Sequence, residues 1–130
     1  MMSRTEPTWP PKPLYVAVDI AVCTVIDQRL HALLWRRPYE PFEDDWALPG
    51  TFSRADETLD EAARRALAEK TGLAGVWLEQ LATFDQPRRG EVPGRDPRAR
   101  VISVAYLALI DEHRLDGGDP SRRRWWPIDE

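Results

Sequence analysis

Apolar residues recur with a period of two along residues 15–26, where Val16, Val18, Ile20 and Val22 fall on one face of an extended chain. This period predicts a β-strand buried on one side. Further apolar segments predict three more strands, over residues 30–37, 76–84 and 101–110. The turn residues Asp27 and Gln28 lie between the first two strands, which predicts a hairpin.

A different period marks the segment before Gly72. Its apolar residues are spaced by three and four positions, which predicts an amphipathic helix with one face on a core. They are Leu59, Ala62, Ala63, Ala66 and Leu67. Asp56 is predicted to be the N-cap of this helix, and Gly72 is predicted to end it.

The order strand, strand, loop, helix, strand, loop, strand predicts an α/β fold with a mixed sheet. The 130 residues suit one domain, predicted at residues 14–130 after an extended, proline-rich arm at residues 1–13. The formal net charge of −4 gives no overall basic signature for nucleic-acid binding, and no apolar segment is long enough for a membrane span. The single cysteine, Cys23, suits a reducing compartment, so we expect a cytoplasmic protein with Cys23 buried in a strand.

The region from Trp46 to Leu73 resembles the Nudix box, G-x5-E-x7-R-E-U-x-E-E-x-G-U, where U is aliphatic. The lead-in Trp46-Ala47-Leu48-Pro49-Gly50 is also similar to the family's usual W-x-L-P-G run. Six box positions match without a gap, at Glu57, Arg65, Leu67, Glu69, Gly72 and Leu73. Three positions depart: Thr51 stands in place of a glycine, and Ala66 and Lys70 stand in place of glutamates.

The resemblance implies a Nudix fold, in which helices sandwich a mixed sheet as α/β/α layers. The family's closing C-terminal helix is expected to begin just after residue 129, so we expect it to be missing from this chain. The sheet face it would cover is then expected to be covered by a partner or left as an apolar patch, which favours a homodimer.

In Nudix enzymes three box glutamates bind magnesium or manganese, and the corresponding residues here are Ala66, Glu69 and Lys70. Glu69 is thus the one candidate metal ligand of the three, and we expect weak or absent hydrolysis and no cofactor. If hydrolysis survives, the resemblance implies Mg or Mn, with Glu57 and Glu69 as catalytic residues. Glu57 and Arg65 are also expected to form an ion pair that braces the box loop against the helix.

Lys70 has two interpretations. Its ammonium can replace the metal as a fixed charge against a phosphate, or it can be a solvated cation near a helix C-terminus. Arg98 and Arg100 are the favoured ligand contacts because guanidinium matches phosphate geometry, although both can instead be solvated or pair with nearby carboxylates. Arg37, at a strand end, and Thr51 are weaker candidates for the same ligand.

The segments 78–84 and 95–106 are similar to Nudix proteins acting on ADP-ribose-like metabolites. These include Nudix-related regulators of NAD metabolism, in which a degenerate box senses a ligand and a winged-helix domain binds DNA. The regulators' DE-x-L-x-x-AA-x-R-x-L-x-EKTG form fits residues 56–72 better than the enzyme form does.

Three hypotheses follow: an ADP-ribose sensor that reaches DNA only through a domain outside this chain, a divergent magnesium-dependent hydrolase, and a Nudix-fold interaction module with a silent pocket. We favour the first, with a nucleotide-type small molecule as the ligand and no membrane partner.

Overall fold

The computed structural model describes residues 14–38, 44–85, 100–115 and 119–129. Strands dominate these residues, with one α-helix in the middle of the chain. In chain order the elements are β1 (Leu14–Ile26), β2 (Arg29–Arg36), β3 (Trp46–Ala47), β4 (Gly50–Phe52), α1 (Leu59–Thr71), β5 (Glu79–Phe84), β6 (Arg100–Leu109) and β7 (Arg123–Pro127), with short 3-10 helices at Glu112–Arg114 and Pro120–Arg122.

All seven strands form one mixed sheet, as predicted. The main path runs β3-β2-β1-β6-β5, while β4 pairs with β1 and β7 pairs with β2. The β1–β6 pair is parallel and the other pairs are antiparallel. The predicted β1–β2 hairpin is confirmed, and its two turn residues, Asp27 and Gln28, have φ of 51° and 66°. Positive φ at both central residues is what a tight hairpin turn requires.

The core lies between α1 and one face of the sheet. Val18, Ile20 and Val22 of β1 are 0% exposed, which confirms the period of two. The helix contributes mainly alanines, so its backbone can approach the sheet closely, and Tyr106 of β6 closes the core at 2% exposed. Burial and a hydrogen bond to Asp60 raise the pKa of the Tyr106 phenol to about 12, so it stays a neutral donor.

The start of α1 corrects the prediction that Asp56 is the N-cap. Thr58 caps the helix: its hydroxyl accepts from the Glu61 N–H at 3.1 Å, and Glu61 Oε1 accepts from the Thr58 N–H at 2.7 Å. This reciprocal capping box satisfies two N–H groups at once, which a lone aspartate does not. At the other end Gly72 has φ of 75°, as predicted for a left-handed C-cap.

Other predictions were wrong in detail. The strand predicted at residues 76–84 begins only at Glu79, because Val76 and Leu78 are buried in an irregular segment that follows Gly75 at φ of 68°. The loop before the helix contains two short strands, β3 and β4, that the pattern did not predict. Of the two tryptophans in β7, Trp125 packs against the core, whereas Trp126 is 43% exposed.

Cys23 is buried, as expected. The arm at residues 1–13 lies outside the described residues. Within the described part of the chain, α1 is the one α-helix, and no helix there is long and apolar enough to cross a membrane.

Replacing Thr58 by alanine is expected to lower the free energy of unfolding by about 1 kcal/mol, because the Glu61 N–H loses its acceptor. The matched control Asp56→Ala changes an exposed residue before the cap, and its effect should stay below about 0.5 kcal/mol. Urea denaturation followed by circular dichroism measures both. A larger loss for Asp56→Ala than for Thr58→Ala would contradict the assignment of the cap.

Candidate functional site

The guanidinium of Arg65 joins α1 to the segment before it. Its Nη2 and Nε donate to the two carboxylate oxygens of Glu57 at 2.6 Å and 3.1 Å, a bidentate pair. Nη2 also donates to the Phe52 carbonyl at 2.9 Å, and Nη1 donates to the Thr51 hydroxyl at 3.2 Å. The pair is largely buried, with 18% of the Arg65 side chain and 12% of the Glu57 side chain exposed. The structure therefore brings Thr51, Glu57 and Arg65 into one network.

The network perturbs the titration of both partners. The hydrogen bonds from Arg65 hold the pKa of Glu57 below its ordinary value, with help from the Arg54 N–H, which donates to Glu57 Oε1 at 3.0 Å. The same hydrogen bonds raise the pKa of Arg65. Glu57 is therefore ionised and both of its oxygens are occupied, which leaves it little capacity to bind a metal.

Gly50 precedes this network and lies tightly against β1. A Cβ atom at this position would come within 2.6 Å of the Val18 carbonyl oxygen and still nearer to the Asp19 carboxylate, so no larger residue fits without movement. Thr51, at the box position of a glycine, is accommodated because its hydroxyl accepts from Arg65.

The helix face toward the sheet carries Ala66 and Lys70, one turn apart. Ala66 is 0% exposed. The Lys70 Nζ lies 5.8 Å from the centroid of the Trp35 ring, in the range of a cation–π interaction. At two positions where the box pattern has metal-binding glutamates, this chain thus has the methyl group of Ala66 and the ammonium of Lys70. The Lys70 ammonium lies beside the Trp35 indole. Sequence reasoning did not find Trp35, although its position two residues after the buried Leu33 on β2 puts it on the same face.

Glu69 is the one carboxylate at the three box positions that bind metal in Nudix enzymes. Its side chain is 55% exposed and reaches Arg65 Nη1 at 3.4 Å, one turn away. A hard divalent cation requires several oxygen ligands, and the described residues hold no group of three or more His, Cys, Asp or Glu that could bind one. With Glu57 occupied and Lys70 cationic, these residues do not fit the magnesium or manganese that the box pattern implies.

The predicted loop arginines are only partly described. Arg98 lies outside the described residues. Arg100 begins β6, is exposed, and donates from Nη2 to the Asp85 carbonyl at 2.7 Å, a backbone oxygen rather than the carboxylate that was the alternative to a ligand contact. Arg37 follows the end of β2 and is half-buried; its N–H donates to the Asp45 carbonyl.

Asp19 is a second group that the sequence did not single out. It lies on β1, opposite Gly50 of β4 and beside Ala105 of β6, on the sheet face away from α1. Burial raises the pKa of its carboxyl to about 6. The only feature of the sequence that points to Asp19 is its charge within the alternating apolar residues of β1.

Comparison with known proteins gives a consistent set of relatives. A family description of the NUDIX domain matches residues 16–130. The ADPR responsive transcriptional repressor NtrR of Acinetobacter baylyi is 39% identical over 103 residues, which cover 78% of this chain and 38% of that protein. The ADP-ribose pyrophosphatase of Methanocaldococcus jannaschii is 33% identical over 109 residues, which cover 84% of this chain and 61% of that protein. The chain thus spans less than two thirds of either relative.

A solved structure extends the similarity to three dimensions. The NUDIX domain of Shewanella oneidensis NrtR, in its cocrystal structure with ADP ribose, superposes with a TM-score of 0.71 at 34% identity. The alignment covers 91% of this chain and 75% of that one.

Replacing Glu57 by glutamine is expected to lower the stability of the fold at neutral pH and to change its dependence on pH. The wild-type pair stabilises the fold above the ordinary glutamate pKa of 4.5, and this contribution is lost as the pH falls through the lowered pKa of the folded state. The difference between wild type and Glu57→Gln should therefore shrink as the pH falls below about 4.5. Urea denaturation at pH 7 and pH 3 measures it.

The control for this experiment is Glu79→Gln, which removes an exposed carboxylate outside the network. Its effect should be small at both pH values. A Glu57→Gln difference that is equal at pH 7 and pH 3 would contradict an ionised, Arg65-bound Glu57.

Proposed function

The chain belongs to the Nudix family, and on that premise we propose that it binds ADP-ribose or a related nucleoside diphosphate metabolite without cleaving it. We propose further that binding is the effector-sensing step of a cytoplasmic transcriptional regulator that acts as a homodimer. The A. baylyi relative, described as an ADPR responsive transcriptional repressor, and the NrtR domain complexed with ADP ribose support this proposal. Contact with DNA would then require a domain outside this chain.

The observation that carries the proposal is the replacement of metal ligands by a fixed cation. Ala66 contributes no ligand, and the Lys70 ammonium lies over the Trp35 ring at the position of the second missing glutamate. A lysine ammonium is a compact point charge that binds phosphate well. It can neutralise part of a diphosphate, but it cannot activate water as a metal ion does. The site is therefore suited to binding the ligand and poorly suited to hydrolysing it.

Arginines are proposed to complete the ligand contacts. Arg100 uses one nitrogen on the Asp85 carbonyl, and a guanidinium has five N–H donors, so it retains capacity for a phosphate. Arg98 lies two residues before Arg100 in the sequence and Arg37 directly follows β2, and both are proposed as further contacts. Thr51 is proposed in a weaker role, because its hydroxyl already accepts from Arg65.

A divergent hydrolase is the second candidate. The M. jannaschii relative is an ADP-ribose pyrophosphatase, and the half-exposed Glu69 is the carboxylate here that is most available to a metal. Magnesium-dependent cleavage of ADP-ribose that is abolished by Glu69→Gln would establish this candidate and refute the first.

Titration of ADP-ribose into the purified chain, with magnesium or with EDTA, is expected to give the same affinity in both conditions. The physical reason is that Lys70 and the arginines, rather than a metal, neutralise the diphosphate. Chromatography of the mixture should recover intact ADP-ribose. AMP that forms only with magnesium, or an absence of binding heat, would contradict the proposal.

Replacing Lys70 by glutamine is expected to weaken ADP-ribose binding about tenfold, roughly the value of one charge-assisted hydrogen bond. Arg64→Gln is the matched control: it removes one positive charge from the same helix, but Arg64 Nη1 donates to the Val76 carbonyl, away from the Trp35 side. Calorimetry of both variants separates a local contact from a general charge effect. Equal losses would show that Lys70 does not contact the ligand.

A further inference from the structure

The indole of Trp35 contains a hydrogen-bond donor that lacks an acceptor. The residue as a whole is partly exposed, but its Nε1 atom is buried and has no hydrogen-bond partner among the described residues. Leaving a buried donor unpaired costs stability, and most such groups in folded proteins find a partner. The Trp35 N–H therefore requires an explanation, and a ligand that brings its own acceptor provides one.

Arg122 supplies the other buried nitrogen atom without a hydrogen bond in the described part of the chain. Its Nη1 lies 4.0 Å from a carboxylate oxygen of Asp44, so the guanidinium is compensated by a negative charge. The indole of Trp35 is neutral, and no carboxylate contact is seen for it among the described residues. Trp35 is thus the better candidate for a group whose partner is a ligand.

Strand pairing determines what flanks the Trp35 ring. Trp35 lies opposite Ala47 of β3 on one side and opposite Arg123 of β7 on the other. Residues directly opposite each other point to the same face of a sheet, so both side chains flank the indole. Ala47 has only a methyl group, and Arg123 Nη2 is a donor, which bonds to the Leu115 carbonyl at 3.2 Å. Neither neighbour therefore offers the indole a side-chain acceptor.

Lys70 approaches the same ring from α1. Its Nζ lies 5.8 Å from the ring centroid, and the Arg123 guanidinium belongs to the adjacent strand. Two positively charged side chains and one neutral donor thus meet at this point of the sheet. An anion with several oxygen atoms is the complementary ligand, because each donor can then bond to a different oxygen.

We propose that Trp35 is a ligand-binding residue whose indole N–H donates to a phosphate oxygen of the anion that Lys70 attracts. This role rests on the proposed function, because the ligand is the same diphosphate. The two side chains contribute differently: Lys70 provides a charge on a flexible stem, whereas the indole provides a single donor in the plane of a rigid ring. The ring also attracts the ammonium through its face, so Trp35 positions Lys70 before the ligand arrives.

The ligand is expected to reach the indole through a movement of side chains. Lys70 lies over the ring on a four-carbon stem, so it can move aside and follow an incoming anion. The backbone at Trp35 can stay in place, because it is paired with β3 on one side and β7 on the other. The change on binding should therefore be local to the indole and the lysine.

The indole signals of a proton–nitrogen correlation spectrum test the contact directly. The chain has six tryptophans, and Trp35→Phe identifies the Trp35 signal as the one that disappears. In the wild type this signal is expected to shift on addition of ADP-ribose, and also on addition of inorganic diphosphate. The Trp126 signal, identified in the same way, is the internal control. It should stay in place, because Trp126 pairs with Ala32 and so lies on the opposite face of the sheet.

Calorimetry of Trp35→Phe measures the contribution of the donor. The substitution removes the N–H and keeps an aromatic ring beside Lys70, so it is expected to weaken ADP-ribose binding about fivefold, the value of one hydrogen bond from a neutral donor. This loss should be the same at low and high salt, whereas the loss from Lys70→Gln should shrink as salt screens the charge. Trp126→Phe is the matched control and should leave the affinity unchanged. Circular dichroism checks that each variant folds.

The two probes separate the role of Trp35 from the proposed function. If ADP-ribose does not bind but inorganic diphosphate shifts the Trp35 signal, the proposed function fails and the anion contact of Trp35 is supported. If ADP-ribose binds while the Trp35 signal stays in place, or while Trp35→Phe binds as tightly as the wild type, the role of Trp35 alone is overturned. A signal that neither probe shifts also overturns it.

Discussion

The site depends on the guanidinium of Arg65. A three-residue strand such as β4 cannot hold its place through its own ladder, and Arg65 fixes it to α1 through the Phe52 carbonyl and the Thr51 hydroxyl. Glu57 compensates the buried charge with two hydrogen bonds, which a largely buried guanidinium needs. With β4 fixed in this way, Gly50 lies against β1 and the helix keeps a constant orientation over the sheet. The face that carries Ala66 and Lys70 is consequently positioned by contacts within the chain.

The box motif therefore has two separable parts in this chain. The bracing part, Glu57 and Arg65, is retained and makes its contacts in full. The metal-binding part is reduced to Glu69, which is half exposed and only weakly associated with Arg65. The bracing residues maintain the fold, whereas the metal-binding positions contribute little to it. Substitutions at the metal-binding positions can therefore change the chemistry of the site without loss of the bracing contacts. This separation explains how a Nudix fold persists around a helix that no longer offers a set of carboxylate ligands.

Local sequence patterns predicted the helix and the main strands, and the features they missed have both local and long-range causes. The helix, its stop at Gly72 and the β1–β2 hairpin follow from spacing and turn residues alone. The N-cap was missed because Asp56 and Thr58 are both good caps; the reciprocal contact with Glu61, visible as T-x-x-E in the sequence, decides between them. The start of β5 was missed because the alternating apolar residues Val76 and Leu78 predict a strand. Gly75, at positive φ, instead turns the chain just before them. The Lys70 contact with Trp35 depends on how α1 lies over the sheet, which no local pattern contains.

Lys70 illustrates why stability and ligand binding must be considered separately at this position. It lies in the last turn of α1, where the helix dipole favours a cation, and its ammonium has the face of an indole beside it. A positive charge is therefore accommodated here at little cost to the fold. A glutamate in its place would lose both interactions and would add a negative charge at the negative end of the helix dipole. In a Nudix enzyme such a carboxylate is compensated by the metal ion; here the charge at this position is positive instead of negative. Under the proposed function, this positive charge attracts the anionic ligand directly, as a bound cation does in a Nudix enzyme.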